Sequence, residues 1–291
     1  MKKNLKYLLI ITLTIVGIFS TSGCSQDNMD NINIIVTSYP SEYIIKYLYG
    51  DHATITSIYP DGVDISKYKV SEKQKTKYAK EDLFIYNGLI ERERDLALDL
   101  LSKNENLKII DTAYVLETDY SPEELWLNPS SLLMMSQNVR IGLEEYIVNA
   151  YLKEEIDDKY DEMKVELSEL DADYRVAIDN TSDKTIVVDN AALKFLEKFG
   201  LEVICIDADT KEKIISDVNN LIKAGKITYI YTFEGEDISD NAKEIINNYP
   251  DVKVQKLHKL DNLSDLERSE KKDYLTIMNE NLELLKQELY Q

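Results

Sequence analysis

The sequence predicts an α/β protein of two lobes, each a parallel sheet flanked by helices, joined by one long connecting helix. Three observations predict it. Short β-rich runs alternate with helical patterns in the first half of the chain, the same alternation returns in the second half, and between them lies a stretch without Gly or Pro that carries one continuous apolar face.

The chain opens on a targeting segment. Lys2, Lys3 and Lys6 precede an apolar run over 7–19, and Ser20, Thr21, Ser22 and Gly23 lead into Cys24. A basic start, an apolar middle and small residues at the end describe an export signal. The run is well short of the roughly 20 residues that a membrane-spanning helix needs. Small residues directly before a Cys resemble the lipobox of bacterial lipoproteins, in which cleavage precedes the Cys and acyl chains anchor it; an ordinary secretory signal with a chance Cys is the alternative. Residues 1–23 are then the signal peptide and 24–31 a polar tether.

The N-terminal lobe spans 32–152. Its strands are expected at 32–37, 53–58, 82–86 and 107–111, with helices including 41–49 and 71–80. The linking helix covers 153–180. Its apolar residues Ile156, Tyr160, Met163, Leu167, Leu170, Tyr174 and Ile178 recur every three or four positions, and at 1.5 Å per residue it reaches about 40 Å, enough to cross both lobes. The C-terminal lobe spans 181–291, with strands at 185–189, 202–206, 227–232 and 252–257 and helices including 191–199 and 211–224. Cys205 falls inside an apolar strand and reads as a buried, inert thiol. With Cys24 acylated it has no disulfide partner.

Composition narrows the function. Apolar residues make up 44% and charged residues 30%, which excludes a disordered chain and a multispanning membrane protein. Lys plus Arg is 34 against 54 Asp plus Glu, a net charge of −20. That balance argues against nucleic acid or an anionic lipid surface as the main partner and suits cations. No Gly-rich phosphate loop, nucleophile elbow or His-Glu-x-x-His is present, so no enzyme is implied. Two open α/β sheets facing each other bring the carboxyl ends of their strands around a shared cleft, where such sheets bind ligands. Export, an anchor and two lobes point to a periplasmic-binding-protein-like extracytoplasmic receptor.

Several segments then resemble one family, the solute-binding lipoproteins of zinc- and manganese-type ABC importers. Val36-Thr37-Ser38-Tyr39-Pro40 is similar to its first strand and turn, and the stretch from Gly50 through Ile58-Tyr59-Pro60-Asp61-Gly62-Val63-Asp64 to the approach of its first ligand. Asp82-Leu83-Phe84-Ile85-Tyr86-Asn87-Gly88, Glu124-Leu125-Trp126-Leu127-Asn128-Pro129, Asn190-Ala191-Ala192 with Phe199-Gly200-Leu201-Glu202-Val203, and the terminal helix from Tyr274 follow in the family's order. The resemblance implies a metal-receptor fold, a monomer capturing a divalent metal of the zinc or manganese class between its lobes, and docking onto an ABC permease and its ATPase. It implies no required cofactor and contact with the bacterial cell membrane through the lipid anchor alone.

The ligand positions depart from the family pattern. Ser66 stands where the first His is expected, Glu124 where the second is, Asn190 at the third and His258 at the last, where a register shift of three would select Asp261 instead. Only His52 and His258 exist, so a three-His zinc cage within one chain is excluded. His52, between a helix end and a strand, reads as a surface or capping residue. Asp64, Glu123, Asp189 and Glu234 are acids that could supplement an oxygen-rich site, Asp64 foremost, although helix caps and solvated acids are the commoner role. Trp126, Tyr39, Tyr68 and Tyr86 belong either to the pocket or, more commonly, to the core. The rival reading is a surface adhesion lipoprotein, or a receptor for another solute, on a scaffold that has lost metal binding.

Overall fold

The computed structural model describes residues 29–208 and 210–290; the export signal and Cys24 lie outside the described residues. In the first lobe β1 (Ile32–Val36), α1 (Tyr39–Tyr49), β2 (Ala53–Ser57), α2 (Glu72–Tyr78), β3 (Leu83–Tyr86), α3 (Glu91–Lys103) and β4 (Lys108–Asp111) build a parallel sheet of order β2-β1-β3-β4. Ile34 is in register with Ile55 on one side and Leu83 on the other. Helices α4 (Glu124–Leu127), α5 (Pro129–Tyr146) and α6 (Ala150–Asp179) follow. The second lobe repeats the topology. Strands β5 (Thr185–Val188), β6 (Glu202–Cys205), β7 (Tyr229–Phe233) and β8 (Lys253–Leu257) form a parallel sheet of order β6-β5-β7-β8, with α7 (Glu212–Lys223) and α8 (Asp240–Asn248) between them and α9 (Asp265–Ser269) and α10 (Tyr274–Leu289) after them.

Central strands buried on both faces carry apolar residues on both. Ile34, Val36, Leu83 and Ile85 point one way, while Ile35 and Phe84 pack with Leu96 and Leu100 under α3 on the other face. Ile186, Val188, Tyr231 and Phe233 share one core with the inward face of the first sheet, and Val187 and Ile230 pack beneath α7 and α8. A single apolar core therefore runs from lobe to lobe, which makes the two halves one packed body rather than beads on a rod.

Helix α6 crosses that core. It begins at Ala150, three residues before the expected start, because the Asn149 side chain caps it by accepting the Tyr151 N–H at 2.9 Å. Of the seven apolar positions read from spacing, all are buried except Tyr160, which is half-buried beneath the Arg140 guanidinium. Tyr174 is fully buried and donates its hydroxyl to the Met278 carbonyl at 2.8 Å, fastening α6 to α10. Tyr274 on α10 donates to the Trp126 carbonyl at 2.7 Å, and the Trp126 indole N–H reaches the Lys259 carbonyl at 2.9 Å. Segment 191–199 is a 3₁₀ helix rather than an α-helix. Among the described residues no helix is long and apolar enough to cross a membrane.

Candidate functional site

A cleft of about 590 Å³ opens between the lobes at the carboxyl ends of the strands. One wall is the 62–67 loop after β2; the other is the 234–237 loop after β7 and the 258–264 segment after β8. The lobes are stitched across one side of it. Arg268 forks onto Glu42 with contacts of 2.7 and 2.8 Å and turns its Nε to Asp61 at 2.6 Å. Burial alone would raise the Glu42 carboxyl, but hydrogen bonds from Arg268 and Lys46 more than offset it and hold the group below the usual carboxylate range. Asn262 donates to the carbonyls of Pro60 and Val63, Tyr39 N–H to the carbonyl of Asp261, and Gly62 N–H to the carbonyl of Leu263 at 2.8 Å. Gly62 sits at φ +70, a left-handed turn that suits a residue without Cβ.

The crevice between β1 and β3, where the strand order reverses in the first lobe, is filled by the chain itself. Glu93 is fully buried there and accepts the Thr37 hydroxyl at 2.5 Å and the Asn87 N–H at 2.9 Å. Burial pushes its carboxyl up to about 7 against those two bonds.

Of the residues assigned to a ligand role from sequence, Ser66, Asp64 and His258 line the cleft, as does Asp261. Ser66 donates its hydroxyl to Asp64 at 2.5 Å, and Lys67 meets the same carboxylate at 2.8 Å; these contacts hold Asp64 near 2. Glu124 and Asn190 are outside the lining. Glu124 is 1% exposed, and its carboxylate accepts the N–H groups of Tyr120 (2.5 Å), Ser121 (2.6 Å) and Asp119 (3.3 Å). Asn190 caps the 191–199 helix by accepting the Ala192 N–H at 2.9 Å and donates to Glu236 at 2.8 Å. The four assigned positions thus do not meet in one cavity. The physical reason is that the Glu124 carboxylate is turned to three backbone N–H groups of its own loop, and the Asn190 side chain to the Ala192 N–H and Glu236.

His258 is half-buried. Its Nδ1 accepts the Leu260 N–H at 2.9 Å, and its Nε2 lies 3.1 Å from Glu267 Oε1, an arrangement that assigns the proton to Nε2. Glu234, His258 and Glu267 bring one ligand atom each within 4.8 Å of one another, a grouping able to hold a metal ion. Glu267 was not singled out from sequence, although Ser264-x-x-Glu267 reads as a capping box and forms one here. The other Glu267 oxygen accepts from Ser264 N–H and hydroxyl at 2.7 Å each.

The remaining acids and rings are engaged within the fold, except that Asp189 Oδ1 is buried without a hydrogen-bond partner among the described residues. Asp189 accepts the Ser239 N–H at 2.7 Å, and Glu123 lies 3.3 Å from the Lys259 ammonium. His52 is neither a cap nor a free surface group: it is half-buried between Asp30 and Glu155, at 3.0 and 3.2 Å. Trp126, Tyr39 and Tyr86 are core residues, Tyr86 stacked on Phe84, and Tyr68 packs edge-on against Tyr59. Cys205 is half-buried rather than buried, and desolvation raises its thiol to about 11, in keeping with an inert group.

Residues 34–288 match the family model described as zinc-uptake complex component A, periplasmic. The chain is 25% identical over 97% of its length to the zinc-binding lipoprotein AdcA of Streptococcus pneumoniae, and it spans 61% of that relative's length. It is 22% identical over 94% of its length to the high-affinity zinc uptake system protein ZnuA of Bacillus subtilis, covering 92% of it. Among solved structures, the Zn(II)-bound ZnuA-like domain of S. pneumoniae AdcA superposes with a TM-score of 0.72 at 24% identity, over 90% of this chain and all of that one. The laminin-binding protein Lmb of Streptococcus agalactiae, described as bifunctional with adhesin and metal-transporting activity, superposes with a TM-score of 0.73 at 20% identity, over 89% and 100%.

Proposed function

We propose that this chain, which belongs to the family of zinc-uptake complex component A proteins, is the substrate-binding component of an ABC importer for a divalent metal of the zinc or manganese class. It carries that cargo in the interlobe cleft and acts as a receptor, not an enzyme. In this reading it is exported, anchored outside the membrane by acylated Cys24, and delivers its cargo as a monomer to a permease and its ATPase. The observation that carries the reading is the approach of His258, Glu234 and Glu267 in a cleft at the strand ends. Ser66 and Asp64 line the opposite wall and offer oxygen donors to the same space.

The chemistry of that donor set is one imidazole among carboxylates, which suits manganese or a modest zinc site better than a three-His cage. Ligation through His258 Nε2 moves its proton to Nδ1 and gives up the Leu260 N–H bond, a cost of about 1 kcal/mol.

Calorimetric titration of the chain from Cys24 onward with zinc and manganese tests the reading. Binding tighter than about 1 μM, equivalent to about −8 kcal/mol, and at least about tenfold weaker in His258→Ala supports it. Flat titrations with both ions refute it. Loss of membrane association in Cys24→Ser tests the anchor.

A second reading, a surface interaction lipoprotein on a receptor scaffold, is favoured by the engagement of Glu124 and Asn190 in the fold's own hydrogen bonds. Saturable binding to immobilised laminin by the metal-free chain would support it.

A further inference from the structure

We propose that Lys259 is an internal cation that latches the two lobes together in the absence of cargo and raises the threshold a divalent ion must pass to enter the floor of the cleft. The latch itself does not depend on the receptor reading; the threshold deepens that reading.

Lys259 follows β8 in the second lobe. Its ammonium lies 3.0 Å from Glu236 of the same lobe and 3.3 Å from Glu123 of the first, and 5.9 Å above the Phe233 ring. Its carbonyl accepts the buried Trp126 indole N–H. One residue of the second lobe thus holds segment 123–126 of the first through both its main chain and its side chain. The Lys259 side chain is about four-fifths covered, so its attraction for the two carboxylates is screened less than that of a surface pair.

The surroundings are those of a cation site already filled. Asp261, two residues on, is half-buried and lines the same cleft. Glu236 spends its second oxygen on Asn190. The polar chain Asn190–Glu236–Lys259–Glu123 therefore joins the lobes through Asn190, a position the sequence assigns to the cargo ion, and through Lys259 and Glu123, which neighbour two others, His258 and Glu124. An ammonium there neutralises the acids with a single charge in the cleft that Glu234, His258 and Glu267 share, so a divalent ion entering that cleft meets its repulsion and can take the Glu123 or Glu236 oxygens only by expelling it.

Two measurements on the full mature chain test this. Amide exchange of the metal-free protein is followed over 119–127 and 234–238, and manganese and calcium affinities are read by calorimetry, in wild type, Lys259→Met and Lys259→Arg. Lys259→Met is expected to speed exchange in both segments and to tighten manganese binding, each by about tenfold or more, while Lys259→Arg stays close to wild type. Unchanged exchange in Lys259→Met overturns the latch, and unchanged manganese affinity overturns the threshold. If Lys259→Met does not fold, Glu123→Gln removes only the partner across the cleft. Faster exchange over 119–127 then supports the latch and wild-type exchange overturns it. Flat wild-type titrations together with faster exchange in Lys259→Met would refute the receptor reading and leave the latch standing.

Discussion

Glu124 offers the sharpest separation between a ligand and a structural acid, and the magnitude follows from its surroundings. The carboxylate is almost fully buried and accepts three backbone N–H groups, two of them at 2.5 and 2.6 Å. Hydrogen bonds to a charged acceptor contribute about 1.5–3 kcal/mol each. Counting only the two short ones, and allowing for the cost of burying the charge, Glu124→Ala should destabilise the metal-free protein by about 3 kcal/mol. Glu124→Gln retains one acceptor oxygen and should lose about half as much. For a chain of this size 1 kcal/mol moves Tm by about 2–3 °C, so the alanine variant should melt about 6–9 °C lower. The assay is thermal unfolding with chelator present, followed by zinc titration at a temperature where both proteins are folded. A metal-free Tm within about 1 °C of wild type, joined to lost zinc affinity, would refute the reasoning and return Glu124 to the ligand set.

Three further outcomes follow from single side chains. Arg268→Met leaves Glu42 buried with Lys46 alone; a loss of about 2–3 kcal/mol is expected in urea unfolding. Because the folded Glu42 carboxyl is depressed, that contribution is present above the unfolded value and is lost as pH falls through the folded one, so the gap between the two proteins should close in acid. Glu93 has the opposite sign. Its folded carboxyl is raised to about 7 from 4.5, so the folded state holds the extra proton and stability drains as pH climbs through that window, by at most about 3 kcal/mol. Glu93→Gln should flatten the urea-midpoint profile between about pH 4.5 and 7, and an unchanged slope would count against the assignment. Gly88→Ala would set a Cβ 2.1 Å from the Asp111 carboxylate, which accepts the Gly88 N–H at 2.7 Å, and should cost about 1–3 kcal/mol by thermal unfolding.

Much of the architecture was legible in the chain because periodicity is a local property. Continuous apolar runs such as Ile34-Ile35-Val36 and Ile186-Val187-Val188 announce strands covered on both faces, and the three-and-four spacing from Ile156 to Ile178 announces the crossing helix. Scarcity of His and Cys, and the excess of acids, likewise needed no coordinates to limit the metals that can be held.

The ownership of each oxygen is a tertiary matter. Glu123 and Glu124 are neighbours in sequence, yet the first faces an ammonium across the cleft and the second is consumed by the loop it closes. Lys259 carried no sequence signal at all, since a lysine among acids is a solvated charge until a second lobe covers it. Glu267 reached His258 only because a capping box turned one of its oxygens toward Ser264 and left the other free to meet the ring. Backbone donors compete for carboxylates over distances of about 3 Å, and which donor wins depends on how the lobes pack, information that residue order does not carry.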